Sequence, residues 1–305
     1  MDRRRMCPNC RAFISSDDRQ CQYCGITLQS VAQTRRAAAA ANGEGFIPEH
    51  AFTTYILLLI NVAMWAISIM LSSQAGNTHA FMDIDGETLV LLGAKFTPYI
   101  RQAGQWWRLI TAGFLHGGLM HIAMNGWALL TIGRQVDMVY GSARYLVIYF
   151  AGTVGGFWAS MMFSSSSLSV GASAGLCGFV GAMIAVGFLS KSRMALDLRQ
   201  GYLRYAGFVV VFGVLTSFGG GLRIDNWAHL GGIGAGFAAG MLVGLPTPVI
   251  RSRERLWTLA AWICVLLTVF SFFQMLMIFT KMHQAPLIPP AREAPQVREL
   301  PRERL

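Results

Sequence analysis

Residues 173–190 read SAGLCGFVGAMIAVGFLS, eighteen positions with small and apolar side chains and no charge among them. A helix needs ~20 residues to cross the hydrocarbon core of a bilayer, so this run approaches a full span. Six further apolar stretches surround it, at approximately 52–72, 118–136, 143–163, 203–220, 227–245 and 256–280. The pattern predicts an all-α polytopic membrane protein with seven spans. Those at 173–190 and 203–220 are the shortest, so their ends are the softest.

Composition supports the same class. The chain has 305 residues, 54% hydrophobic and 13% charged, with mean hydropathy +0.46 and net charge +10. Soluble domains carry about 25% charged residues. There are too few ionic side chains here to cover a water-facing surface, which excludes an ordinary cytosolic enzyme, a secreted disulfide scaffold and a disordered chain. The 33 glycines exceed the usual share of about 7% and suit close helix packing in lipid.

Outside the spans, residues 1–28 form a polar head, 29–50 a linker and 282–305 a proline-rich, charged tail that reads as disordered. Between linker and tail, 51–281 is the membrane domain. No apolar h-region follows the early arginines, so the opening is not a signal peptide. Basic residues set the orientation. With the N-terminus in the cytoplasm, that side receives Arg3, Arg4, Arg5, Arg35, Arg36, Arg134, Arg144, Lys191, Arg193, Arg199, Arg204, Arg251, Arg253 and Arg255. Lys95, Arg101, Arg108, Arg223 and Lys281 fall opposite, with the tail. The expected topology is N-in, C-out, and the absence of an organelle presequence points to a bacterial inner membrane. The positive charge is spread over helix ends instead of one soluble face, which argues against nucleic acid as a partner.

The head carries Cys7-Pro-Asn-Cys10 and Cys21-Gln-Tyr-Cys24-Gly25, two CxxC pairs. Four thiolates are the soft tetrahedral set that structural Zn²⁺ prefers. So short a segment cannot build its own core, and metal supplies its folding energy. Disulfide or redox pairs are the competing reading, disfavoured on the reducing side of a membrane. Cys7, Cys10, Cys21 and Cys24 are the expected ligands, and the segment resembles short zinc ribbons. The head's arginines read first as a solvated face, though they could touch lipid headgroups or a protein partner.

Polar residues inside spans are expensive and are functional candidates by default. The second span opens with His116-Gly-Gly-Leu-Met-His121-Ile-Ala-Met-Asn125, the fourth with Gly171-Ala-Ser173, and the sixth with Asn226-Trp-Ala-His229. The N-in topology puts all three at the outer ends of their helices. Ser173 needs a base, which His229 or His121 could supply. His121 and Asn125 share one helical face, so that pair could aim donors at an oxyanion beside the Ser173 N–H, leaving His229 as base and acid. Gly232, Gly236, Gly240 and Gly244, at four-residue spacing, would let helices approach closely. Taken singly, each feature is as well explained by backbone bonding or helix packing. Together they complete an acyl-transfer site at one depth.

These residues resemble the rhomboid family of intramembrane serine proteases. The likeness covers about residues 50–250 and rests on Trp107-Arg108, the run from His116 to Asn125, Gly171-Ala-Ser173, and Ala228-His229 followed by Gly232 and Gly236. It implies a six-helix core, here with one extra C-terminal helix. It also implies a carboxylate-free dyad of Ser173 and His229, with His121 and Asn125 in the oxyanion hole and no catalytic cofactor. Transmembrane proteins in the lipid bilayer are the implied substrates, cut near the outer face. The segment around Trp107-Arg108 is expected as a partly embedded structural loop. Two positions depart from the family pattern: Ala174 stands where glycine usually follows the serine, and Cys177 where an aromatic often stacks on the histidine. Orientation of His229 must then rest on something else, and Asp225, one turn before it, is a candidate. The competing function is an inactive rhomboid-like protein that binds membrane clients. A channel, a metalloprotease and an aspartyl protease lack their expected residues.

Overall fold

The computed structural model describes residues 4–7, 9–15, 18–27, 51–218, 224–246 and 251–284. The expectations for the 29–50 linker and for the tail beyond Gln284 fall outside these residues. In the head, β1 (Arg4–Met6) pairs antiparallel with β2 (Phe13–Ser15). The membrane domain opens with α1 (Phe52–Gln74) and continues through a folded loop containing α2 (Gly86–Leu91), β3 (Lys95–Phe96), α3 (Thr97–Ala103) and α4 (Arg108–Thr111). Then come α5 (Leu119–Ala128), a π-helical turn (Leu129–Gly133), α6 (Arg134–Tyr140), α7 (Ser142–Phe163), β4 (Leu168–Ser169) and α8 (Ser173–Leu189). The chain closes with α9 (Arg193–Phe218), α10 (Asn226–Val243) and α11 (Arg251–Gln284).

This is an all-α polytopic membrane protein, a helical bundle with a C-terminal helix added and a small cysteine-rich head. Each apolar stretch lies on a helix, though α9 begins at Arg193, ahead of its apolar part, and α11 runs on to Gln284. Among the described residues, α1, α7 and Glu254–Lys281 within α11 are long and apolar enough to cross a membrane by length and composition. The other helices are short (α8), interrupted by the π turn (α5 to α6), opened by a charged turn (α9) or diluted by glycine and polar residues (α10). Of these, α5, α8 and α10 bear the polar residues His121, Asn125, Ser173 and His229. The outer helices expose large apolar side chains that only lipid would tolerate: Leu59 is 64% exposed, Trp262 62% and Val269 61%.

Helix α8 is the centre, buried along nearly its whole length and packed hardest against α10 and α7. Glycine permits this closeness. A Cβ at Gly236 would strike the Gly178 backbone, one at Gly152 would stand 2.7 Å from Gly178 Cα, and one at Gly240 would stand 2.9 Å from Ala182 Cα. Gly244 ends α10 with a positive φ of +62°. Hydrogen bonds fix the layers: Tyr140 Oη donates to the Ala182 carbonyl (2.8 Å), and the Thr54 and Tyr145 hydroxyls pair at 3.1 Å.

The loop between α1 and α5 folds around Arg108, which is fully buried. Its guanidinium donates to Gln105 Oε1 (2.6 Å), the Val90 carbonyl (2.6 Å) and the Ala94 carbonyl (3.1 Å), and lies over the Trp107 ring at 4.7 Å. A charge is tolerated there because these three oxygens accept from Nε and Nη1, while Nη2 has no hydrogen-bond partner among the described residues. β3 of this loop pairs with β4, which leads directly to Ser173. The far end of the bundle is closed by Arg144. It is bidentate to Glu254 (2.5 and 2.9 Å) and donates to the Val243 carbonyl (3.2 Å), joining α7, α10 and α11.

Candidate active site

Three helix starts meet at one end of the bundle. Ser173 is the first residue of α8, and His229 lies one turn into α10. Tight glycine contact between these helices brings His229 Nε2 to 3.0 Å from Ser173 Oγ. Both side chains are partly accessible. This is hydrogen-bond range for proton transfer from the hydroxyl. His229 Nδ1 has no hydrogen-bond partner among the described residues, so no carboxylate completes the pair.

Gly171 sets the approach to Ser173. Its φ is +127°, and its N–H donates to the Ala112 carbonyl at 3.0 Å. A Cβ there would stand 2.6 Å from His121 Nε2 and 3.5 Å from Ser173 Oγ, so only glycine lets the three groups converge. His121 Nδ1 accepts the Gly117 N–H at 3.4 Å. That assigns the ring proton to Nε2, the nitrogen beside Gly171. Asn125, one turn on, is buried with its Nδ2 unpartnered among the described residues. A buried amide donor without an acceptor costs about 1–3 kcal/mol, a cost expected at a site that receives charge during a reaction.

Ala174 and Cys177 have plain structural places. Ala174 is buried, and its methyl lies against Gly156 of α7, whose own Cβ would come within 2.8 Å of it. Glycine on the neighbouring helix thus makes room for the extra methyl. Cys177 is buried against Gly232 in the contact between α8 and α10.

Asp225 does not touch His229 Nδ1. Its carboxylate caps α10, accepting the Ala228 N–H at 3.1 Å, and also accepts the Ser160 hydroxyl from α7. Two positions carried no site role in the sequence reading, although His116 opens the second-span motif. His116 is fully buried, its ring 5.1 Å from that of His121, and its Nε2 accepts the Ala172 N–H at 3.5 Å beside the serine. Lys95 is also fully buried, donating to the Ser166 carbonyl (2.9 Å) in the loop that leads to β4.

In the head, the sulfurs of Cys7, Cys10, Cys21 and Cys24 lie within 4.8 Å of one another. The Cys7–Cys24 and Cys10–Cys21 separations, 3.6 and 3.5 Å, are far beyond a bond of about 2.05 Å. They approach the spacing of about 3.8 Å expected between thiolates on a tetrahedral metal with 2.3 Å bonds. The Ile26 N–H draws the Cys24 thiol down to about 6, against the effect of burial. The Ala12 N–H likewise favours the Cys10 thiolate, but burial and the neighbouring sulfurs outweigh it and push this thiol up to about 12. Four crowded thiols cannot all ionise without a cation, so this cluster can hold a metal ion.

The fold and this pair define a class: helical membrane proteins with a serine and a histidine joined inside the bundle. Residues 103–246 match the Rhomboid domain family model. Similar curated proteins include Rhomboid protease GluP of Bacillus subtilis (strain 168), 37% identical over 63% of this chain and 35% of that protein. RHOMBOID-like protein 6, mitochondrial, of Arabidopsis thaliana is 31% identical over 56% of this chain and 55% of its own. Rhomboid-like protease 3 of Toxoplasma gondii is 31% identical over 60% and 65%. The matched stretch spans between 35% and 65% of these relatives' lengths. Over this stretch the chain is similar to rhomboid proteins.

Proposed function

We propose that the protein is an intramembrane serine endopeptidase that cleaves transmembrane proteins near the outer membrane face. The observation that carries this reading is the 3.0 Å contact between His229 Nε2 and Ser173 Oγ, made between two helices at the end of the bundle. In the reaction His229 Nε2 takes the hydroxyl proton as Oγ bonds to the scissile carbonyl carbon. The carbonyl oxygen becomes an oxyanion, received by the Ser173 N–H, His121 Nε2–H and Asn125 Nδ2–H. Collapse breaks the C–N bond, and His229 returns the proton to the leaving amine. Water then attacks the acyl-enzyme with His229 again as base, and Ser173 recovers its proton.

The unpartnered Asn125 amide and the His121 tautomer support this assignment, since donors held ready without reorganisation stabilise a transition state best. The N-in, C-out orientation is supported by the basic residues at the end opposite the dyad. In the head, four cysteines support structural Zn²⁺ with a closed coordination shell. When bound, zinc supplies folding energy to the head and takes no part in peptide cleavage. Labelling with a fluorophosphonate probe tests the nucleophile. A covalent adduct on Ser173, absent from Ser173→Ala, is expected; an unlabelled wild-type protein favours the client-binding alternative.

A further inference from the structure

The two cysteine knuckles of the head are near copies in backbone terms. Arg11 N–H donates to the Cys7 carbonyl and Gly25 N–H to the Cys21 carbonyl, each at 2.9 Å. Cys7 N–H donates to the Ala12 carbonyl and Cys21 N–H to the Ile26 carbonyl, again at 2.9 Å. The residue after the last cysteine of each pair is left-handed in both, Gly25 at φ +74° and Arg11 at φ +57°. Glycine occupies that conformation freely, whereas an L side chain is strained in it. Arg11 is the one non-glycine residue with positive φ among the described residues.

Strain of this kind persists when something else holds it. The Arg11 side chain is partly buried, and its Nη1 donates to the Val139 carbonyl near the C-terminus of α6 at 3.1 Å. Carbonyls there lack partners within the helix, so a cation is well placed. Arg144 and Glu254, the two halves of the clasp that joins α7, α10 and α11, both act on the Arg11 charge, Arg144 against it and Glu254 in its favour. We propose that the metal-loaded head is docked on the end of the membrane domain opposite the dyad, with Arg11 as its anchor on α6. The left-handed turn that aims Arg11 belongs to the Cys7–Cys10 knuckle, so metal release dissolves the turn and frees the head. The head is then a metal-gated interaction surface whose partner is this chain's own helix end. This inference is independent of the protease reading.

The test is hydrogen exchange by mass spectrometry on the full-length protein in detergent. Three samples are compared: wild type with Zn²⁺, wild type stripped by a chelator, and Arg11→Gly with Zn²⁺. Exchange in residues 134–144 is expected to rise several-fold on stripping, and equally in Arg11→Gly, while Arg11→Gly still binds one Zn²⁺ and gives the tetrahedral thiolate absorption of Co²⁺. Unchanged exchange in Arg11→Gly with metal bound would remove the anchor. Unchanged exchange on stripping would remove the metal gate. Loss of metal from Arg11→Gly would overturn the strain argument, because glycine is the unstrained residue there.

Discussion

Ser160 of α7 donates its hydroxyl to the carboxylate of Asp225, the residue that caps α10 one turn before His229. The bond ties the start of the histidine helix to its neighbour and fixes how far α10 can slide or turn. Such a frame does the orienting work that no carboxylate does at His229 Nδ1 directly.

Asp225→Ala is expected to remove the cap, worth about 1 kcal/mol, and to leave the Ser160 hydroxyl without its acceptor. Cleavage should fall with little change in KM, since His229 is displaced but the substrate surface is not. Asp225→Asn keeps an acceptor oxygen and should retain most activity. The double variant Ser160→Ala/Asp225→Ala should lose no more than Asp225→Ala alone, because both changes break one contact. Steady-state kinetics of the four proteins provide the check.

Gly171→Ala places a methyl against His121 Nε2 in a backbone conformation that costs an L residue about 1–3 kcal/mol. Misplacing a group that acts on the reacting centre by even ~1 Å costs about 10²-fold in rate. A loss of that order in kcat is expected, with the fluorophosphonate adduct forming slowly on a folded protein. Activity within about twofold of wild type would show that His121 does not serve the reacting centre.

Two glycines on α10 give opposite results for the same substitution. A Cβ at Gly236 meets the Gly178 backbone, whereas one at Gly234 meets nothing within 4 Å. Gly236→Ala should lower the thermal midpoint by forcing α8 and α10 apart, at about 1–3 kcal/mol. Gly234→Ala should be neutral or stabilise by up to about 1 kcal/mol through helix propensity. Thermal unfolding in detergent reads both signs.

Glu254→Gln leaves the Arg144 guanidinium, 2% exposed, without its bidentate partner. A loss of about 2–3 kcal/mol is expected, below the full effect for a buried pair because the Glu254 side chain is 36% exposed. The thermal midpoint should drop and α11 should exchange faster. An unchanged midpoint would mean that α11 is held by its apolar contacts alone, such as Phe272 on Phe114 at 5.3 Å.

Much of this was legible in the sequence because its signals are local. Each apolar stretch reports its helix by composition, and the CxxC pairs report a cluster by spacing. Ser173, His229, His121 and Asn125 could be brought together because topology alone sets their depth. What stayed hidden depends on contacts far apart in the chain. Asp225 reads as a neighbour of His229, but its side-chain partner Ser160 is 65 residues away. Arg11 reads as a solvated charge until Val139, 128 residues on, appears beneath it. The π turn at Leu129–Gly133 has no compositional mark inside an apolar run. Gly244 fits the packing row by spacing, which says nothing of the positive φ with which it ends α10.

The most direct measurement is cleavage of a model transmembrane substrate in proteoliposomes by the wild type, Ser173→Ala and His229→Ala. The wild type should release a fragment cut near the outer end of the substrate helix. Both variants should be inactive while keeping the wild-type thermal midpoint. Full cleavage by Ser173→Ala would contradict the proposed nucleophile and the mechanism built on it.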